Sequence, residues 1–256
     1  MGNQNSEDDP CREHMKETRS EGELHTLSTF RIPKEVLQRV KDATPGTKDS
    51  FWSYKLYVGP QNTQVKVHYC KSKNTTERVA QYFLNNEILG FDIEWNCDST
   101  RKSGIKSNVA LIQLACEDRI GLFHIALYSK DSIPDLVSPT LKKILENPDI
   151  TKVGVGIKAD CTRLRVHLEI DSKGIFELSY LYRLVRYSST RDFGLINKRL
   201  VSLAKQVEEH LELPIFKGDV RESDWSQPLS MDQIICEPNL YDLEKLFTNG
   251  TLTKAV

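Results

Sequence analysis

Two acids alternate with three large apolar residues in the run Phe91-Asp92-Ile93-Glu94-Trp95. In an extended strand, residues two apart point to the same face, so Asp92 and Glu94 project side by side. With Ile88 and Leu89 ahead of it, the run reads as a buried strand, 88–95. Adjacent carboxylates repel, and burying them is costly unless a cation sits between them. A hard divalent metal that takes oxygen ligands meets that need. The other reading is an exposed strand end with two solvated acids; Phe91, Ile93 and Trp95 argue for burial.

A second acid follows a similar strand. Lys152-Val153-Gly154-Val155-Gly156-Ile157 reads as buried and delivers Asp160 to the first turn of a helix over 160–168. Its glycines permit close backbone approach. Taken alone, Asp160 is a helix N-cap more readily than a ligand; beside Asp92 and Glu94 it gains weight. Three carboxylates on one sheet suit two-metal phosphoryl transfer, with ions about 4 Å apart.

The remaining pattern supplies a frame. Residues 65–70 alternate like a strand, and 109–115 and 120–125 read as two more, with Glu117-Asp118 at the turn. Helices are expected from Asn74 or Thr75, which serve as N-cap, over 139–147, and over 198–211. Strands first, then alternating helix and strand, predict an α/β fold: a mixed sheet with helices on both faces. Residues 1–50 are polar, with only a short amphipathic piece near 30–40, and are expected to form a disordered arm. A folded domain is expected over 54–247, with 248–256 as a tail.

At 39% hydrophobic residues, the 256-residue chain has enough apolar material for one core. No run approaches the ~20 apolar residues of a membrane span, so an integral membrane protein is not expected. The polar, acidic start does not resemble a secretory signal. The six cysteines are scattered without a CxxC pair, which argues against structural zinc and for reduced thiols in an intracellular protein, nuclear or cytoplasmic. Net charge is −1, so nothing global marks a nucleic-acid binder. Charge is uneven, however: between 183 and 199, five bases stand against Asp192 alone, a stretch that reads as a phosphate contact or as a solvated face. The opening Met1-Gly2-Asn3-Gln4-Asn5-Ser6 fits the N-myristoylation pattern, and a single acyl chain would give weak membrane anchoring. Oligomeric state is not legible.

Taken together, Gly90-Phe91-Asp92-Ile93-Glu94-Trp95, Ala110-Leu111-Ile112-Gln113-Leu114 and Val153-Gly154-Val155-Gly156-Ile157 with Asp160 closely resemble the Werner-like branch of the RNase D exonucleases, a DEDD-type family. Leu200-Val201-Ser202-Leu203-Ala204, Leu211-Glu212-Leu213-Pro214, Ser223-Asp224-Trp225-Ser226 and Pro228-Leu229-Ser230-Met231-Asp232-Gln233 are similar to the approach to its third motif. The resemblance covers about 65–235. It implies a ribonuclease-H-like fold, two Mg²⁺ or Mn²⁺ ions, and hydrolysis of nucleotides from the 3′ end of DNA or RNA. Carried over, Asp92 bridges both metals, Glu94 ligates one and helps hold the substrate's end, and Asp160 supports the second through water. Arg163 and the bases within 101–106 are candidate contacts to the substrate backbone.

The third motif departs from the family. Its Tyr-x-x-x-Asp falls on Cys236 and Leu240, Pro238 interrupts the carrying helix, and 237–256 reads as unlike the family. Tyr241 and Asp242 lie nearby in the wrong order; a two-residue shift turns a helical side chain by about 200°. A His-x-x-x-x-Asp form is absent, since His210 and His167 are followed at that spacing by Ile215 and Ser172. Such a loss implies a rate lower by several powers of ten. Two explanations stand: an altered C-terminal end on an exonuclease gene, or a domain that keeps nucleic-acid or adaptor binding without catalysis.

Overall fold

A computed structural model describes residues 28–188, 190–196, 199–216 and 224–236. Its centre is a six-stranded sheet of β1 (Lys66–Cys70), β2 (Ile88–Glu94), β3 (Leu111–Cys116), β4 (Arg119–Phe123), β5 (Thr151–Gly154) and β6 (Ile175–Glu177) in the order β1-β4-β3-β2-β5-β6. β3 runs antiparallel to both its neighbours, β2 and β4, while β1 pairs β4, β2 pairs β5 and β5 pairs β6 in parallel. It follows that every strand except β3 ends on the same edge. In open α/β sheets that carboxyl edge is where ligands bind.

The helices are α1 (Lys34–Lys41), α2 (Lys73–Ala80), α3 (Ile105–Asn108), α4 (Ile133–Leu136), α5 (Pro139–Glu146), α6 (Ile157–Leu168), α7 (Leu178–Ser188), α8 (Leu203–Leu211) and α9 (Met231–Cys236). One sheet face turns Leu89, Phe91, Ile93, Ile112 and Leu114 toward α2, α5 and α6, through Val79, Ile144, Leu164 and Leu168. The other turns Leu111, Ala115, Leu122 and Val153 toward Trp52, Tyr54, Leu178, Val207 and Trp225. The mixed sheet with helices on both faces is the architecture the pattern predicts.

Residues 28–50 are not a disordered arm. Phe30, Val40 and Trp52 are buried, and α1 forms inside the amphipathic piece. The segment is tied down at its start, where Glu117 in the β3–β4 turn accepts from Ser28 Oγ (2.9 Å), Thr29 Oγ (3.0 Å) and the Phe30 amide (3.2 Å). Residues 1–27, with the Gly2 motif, lie outside the described residues.

Several boundaries also move. α2 is capped by Ser72, not Asn74 or Thr75, in a reciprocal box with Thr75. β5 stops at Gly154, because Gly156 turns the chain with a left-handed φ of 75° and α6 starts at Ile157. α8 begins only at Leu203, capped by Ser202. β6 and α7 are additional elements with no counterpart in the sequence reading.

Candidate active site

Asp92 and Glu94 lie on the last residues of β2, at the carboxyl edge. Their neighbours Phe91 and Ile93 are 1% exposed on the opposite face, which leaves the two acids half-buried together, as alternation requires. The Ile93 amide donates to Asp92 Oδ1 at 3.0 Å.

The turn after β5 brings Asp160 beside them. Gly154 is indispensable here: a Cβ on it would stand 2.9 Å from the Phe91 carbonyl oxygen and 3.1 Å from Ile157 Cβ. Asp160, on the buried stripe of α6 with Ile157 and Leu164, is 6% exposed. Burial, then the charges of Asp92 and Glu177, push its carboxyl up to about 9, with Arg163 pulling the other way. Asp160 thus feels the charges of Asp92 and Glu177.

Glu177 was not singled out by the sequence. It sits at the end of β6, is 7% exposed, and accepts from the Gly156 amide at 2.8 Å and the Ser179 amide at 3.2 Å. It thus holds both the turn that launches Asp160's helix and the start of α7. The available signal was an acid closing the short apolar run Ile175-Phe176 just before an amphipathic helix.

The candidate substrate cations are differently placed. Arg163 stacks over the Trp95 ring at 4.1 Å and donates to Asn108 Oδ1 at 2.9 Å, so it braces the strand end. Lys106 donates to the Tyr128 carbonyl and pairs with Asp131 at 2.7 Å. Both are half-buried and already engaged, whereas Arg101 and Lys102 are exposed. Within 183–199, Arg183 donates to the carbonyls of Arg199 (2.6 Å) and Leu195 (3.0 Å), which closes the loop after α7.

A polar chain holds the approach to α9 against the same edge. The Leu229 amide donates to Tyr69 Oη (2.9 Å), Tyr69 donates to His124 Nδ1 (2.8 Å), and His124 Nε2–H donates to the Trp225 carbonyl (2.8 Å). His124 is fully buried, and burial lowers its pKa and keeps it neutral, as this pattern requires. Asn96, just past β2, donates to Asp224 at 3.3 Å. The third-motif positions from Glu237 onward, including Leu240, Tyr241 and Asp242, lie outside the described residues, as does the side chain of Cys236.

Among the described residues, no three His, Cys, Asp or Glu side chains are gathered closely enough to hold a metal ion as they stand. The donor chemistry nevertheless fits a hard divalent cation: the acids are oxygen donors only, and their repulsion on Asp160 is what such an ion relieves. No described helix is long and apolar enough to cross a membrane.

A mixed α/β sheet with acids from β2 and the first turn of α6 at its carboxyl edge defines a ribonuclease-H-like class of domain. A family model described as 3′-5′ exonuclease matches residues 67–253, and the chain belongs to this family of phosphodiester hydrolases. The match runs through 237–253, the segment read from sequence as unlike the family and, in part, as a tail. The bifunctional 3′-5′ exonuclease/ATP-dependent helicase WRN of Mus musculus is 33% identical over 105 residues, covering 41% of this chain and 7% of that protein. The chain therefore matches only a small part of that relative's length. Among solved structures, the Aedes aegypti Nibbler EXO domain is similar with a TM-score of 0.55 at 22% identity, over 74% of this chain and 94% of that one. Trypanosoma brucei RNase D in complex with RNA U12 gives 0.53 at 13% identity, over 75% and 62%. The catalytic core of Trypanosoma brucei RRP6 gives 0.56 at 15%, over 85% and 52%. These likenesses establish the fold.

Proposed function

We propose that this chain removes nucleotides from the 3′ end of a nucleic acid, using two divalent ions, Mg²⁺ or Mn²⁺, held by Asp92, Glu94 and Asp160. The observation that carries this reading is the placement of Asp92 and Glu94 at the end of β2 and of buried Asp160 in the first turn of α6, on the carboxyl edge, with burial and like charge raising the proton affinity of Asp160. When bound, the ions supply an activated water and stabilise charge on the phosphate. The chain's own part is to orient ligands. β2 fixes the spacing of Asp92 and Glu94, Glu177 anchors the turn that presents Asp160, and Arg163 on Trp95 braces the strand end. The RNA complex of the Trypanosoma RNase D and the exonuclease names of the other relatives support a nucleic-acid substrate, and an intracellular location fits it.

A second reading rests on Cys236 and Leu240 occupying the third-motif positions: the same domain would bind nucleic acid, or act as an adaptor, with little catalysis. The test is degradation of a 5′-labelled single strand with Mg²⁺ or Mn²⁺, comparing this chain with Asp92→Ala. A ladder shortening from the 3′ end that disappears in the variant is the expected result. No ladder from folded protein of either kind selects the second reading.

A further inference from the structure

Gln113 lies at the centre of β3 between Ile112 and Leu114 and is 0% exposed. Neither Nε2 nor Oε1 finds a hydrogen-bond partner among the described residues. Other buried polar side chains around the sheet are paired, although His68 Nε2 on the edge strand β1 is not. Lys152 reaches three backbone carbonyls, of Ile144, Asn147 and Ile150; His124 holds Tyr69 and Trp225; Glu177 accepts two amides.

The register places this amide. Gln113 is directly opposite Asp92 in the β2–β3 pair. Residues opposite one another in an antiparallel ladder point to the same face, with Cβ atoms about 4.5–5.5 Å apart. That face is the one to which Leu111 and Ala115, two residues to either side on β3, contribute. Gln113 and Asp92 therefore share a face at facing positions of the ladder, close enough for one water to bridge the amide and the carboxylate.

Packing does not account for a glutamine there. An orphan amide in an apolar interior is costly, and an apolar side chain of equal length would fill the same volume without that cost. The Asp92 carboxylate has a different requirement: to ligate an ion it must be held in one rotation. The Ile93 amide constrains Oδ1. A donor from across the ladder constrains the rest of the group, as partners behind metal ligands commonly do.

We infer that Gln113 is a positioning residue for Asp92: its amide, through one bridging water, holds that carboxylate in the orientation that ligates a divalent ion. The inference rests on the proposed role of Asp92 as a metal ligand and adds a residue outside the acidic set.

The test separates positioning from packing by reading Mn²⁺ binding and stability independently. Mn²⁺ alone is titrated into the wild-type chain, Gln113→Met, Gln113→Leu and Asp92→Asn, with free ion followed by electron paramagnetic resonance. Urea midpoints are measured on the same proteins without metal. The expected result is that Gln113→Met unfolds at the same or higher urea than wild type yet binds Mn²⁺ about 10-fold or more weakly. Gln113→Leu repeats the measurement should the thioether pack poorly. Mn²⁺ affinity within twofold of wild type in the apolar variants, with Asp92→Asn strongly impaired, overturns the inference and leaves the metal reading intact. Weakened binding that only tracks a lowered urea midpoint also overturns it, since that is a structural effect. Unchanged binding by Asp92→Asn removes the metal reading itself, and the role of Gln113 with it.

Discussion

Asp160 offers the sharpest test of the site's electrostatics. Its carboxyl is pushed up to about 9 by burial and by Asp92 and Glu177, whereas an unfolded aspartate titrates near ~3.9. The folded state therefore keeps a proton that the unfolded state releases. The stability this proton confers is complete below about pH 4 and drains away as pH rises toward 9. Each unit costs at most about 1.4 kcal/mol, so from pH 5 to pH 8 the metal-free chain loses up to about 4 kcal/mol from this group. Asp160→Asn keeps the size and polarity of the side chain but cannot ionise. Urea unfolding in chelator at pH 5, 6.5 and 8 should show the wild type losing stability relative to the variant across the series. The variant should be the more stable of the two at pH 8. Added Mn²⁺ should restore the wild type most at high pH, because the ion binds the deprotonated carboxylate. Parallel pH profiles for the two proteins would refute the reasoning, since they would mean that Asp160 does not feel the burial and charge described.

Glu177→Ala leaves the Gly156 and Ser179 amides without their acceptor, and urea midpoints should report a loss of about 1–3 kcal/mol, with Glu177→Gln milder. Gly154→Ala drives a Cβ against the Phe91 carbonyl oxygen at 2.9 Å, a backbone contact that cannot swing aside. Thermal unfolding should show a loss of about 1–3 kcal/mol, and Mn²⁺ affinity should fall because Asp92 is the next residue along that strand. Tyr69→Phe removes one link from the His124 chain, and limited proteolysis within 224–236 should accelerate. Burial depresses the pKa of His124, so its contribution is present above about pH 6.5 and lost as pH falls below it; the same cleavage should speed up on mild acidification.

How much of this was legible in the sequence depends on whether a feature is local. The alternation around Asp92 and Glu94 fixes their shared face without any knowledge of neighbours, and the structure keeps it. The Val153–Asp160 run likewise contains its own turn chemistry in Gly154 and Gly156. The segment over 28–50 was misread because Phe30 and Val40 follow no sustained period; like Trp52 just beyond it, they become core only by docking on a sheet face built from later residues. β6 has three residues, too few to show a period, and it exists because β5 offers it a parallel partner. Glu177 and Gln113 lay beyond reach for a related reason. Their significance comes from what stands across a strand pair or turn: Gly156, 21 residues back in the chain for Glu177, and Asp92 for Gln113. The partners of the cations were equally out of reach, since Arg163 and Lys106 are seen to engage Trp95, Asn108 and Asp131 only once the fold sets these beside them.

The hydrogen-bond chain through Tyr69 and His124 also bears on the order of assembly. It joins Leu229 to a residue 160 positions earlier and His124 to one 101 positions later, and the separate Asn96–Asp224 bond spans 128 positions. Contacts of such long span form late, because the entropy of closing the intervening loops is lost before they give anything back. During synthesis the sheet can be complete while its carboxyl edge still faces water and the His124 ring lacks its carbonyl partner. Only when the chain has emerged past Leu229 does that edge acquire its cover and α9 its starting point. A ribosome stalled in the 217–223 interval should therefore hold a nascent chain whose sheet resists protease while His124 still exchanges its ring proton freely.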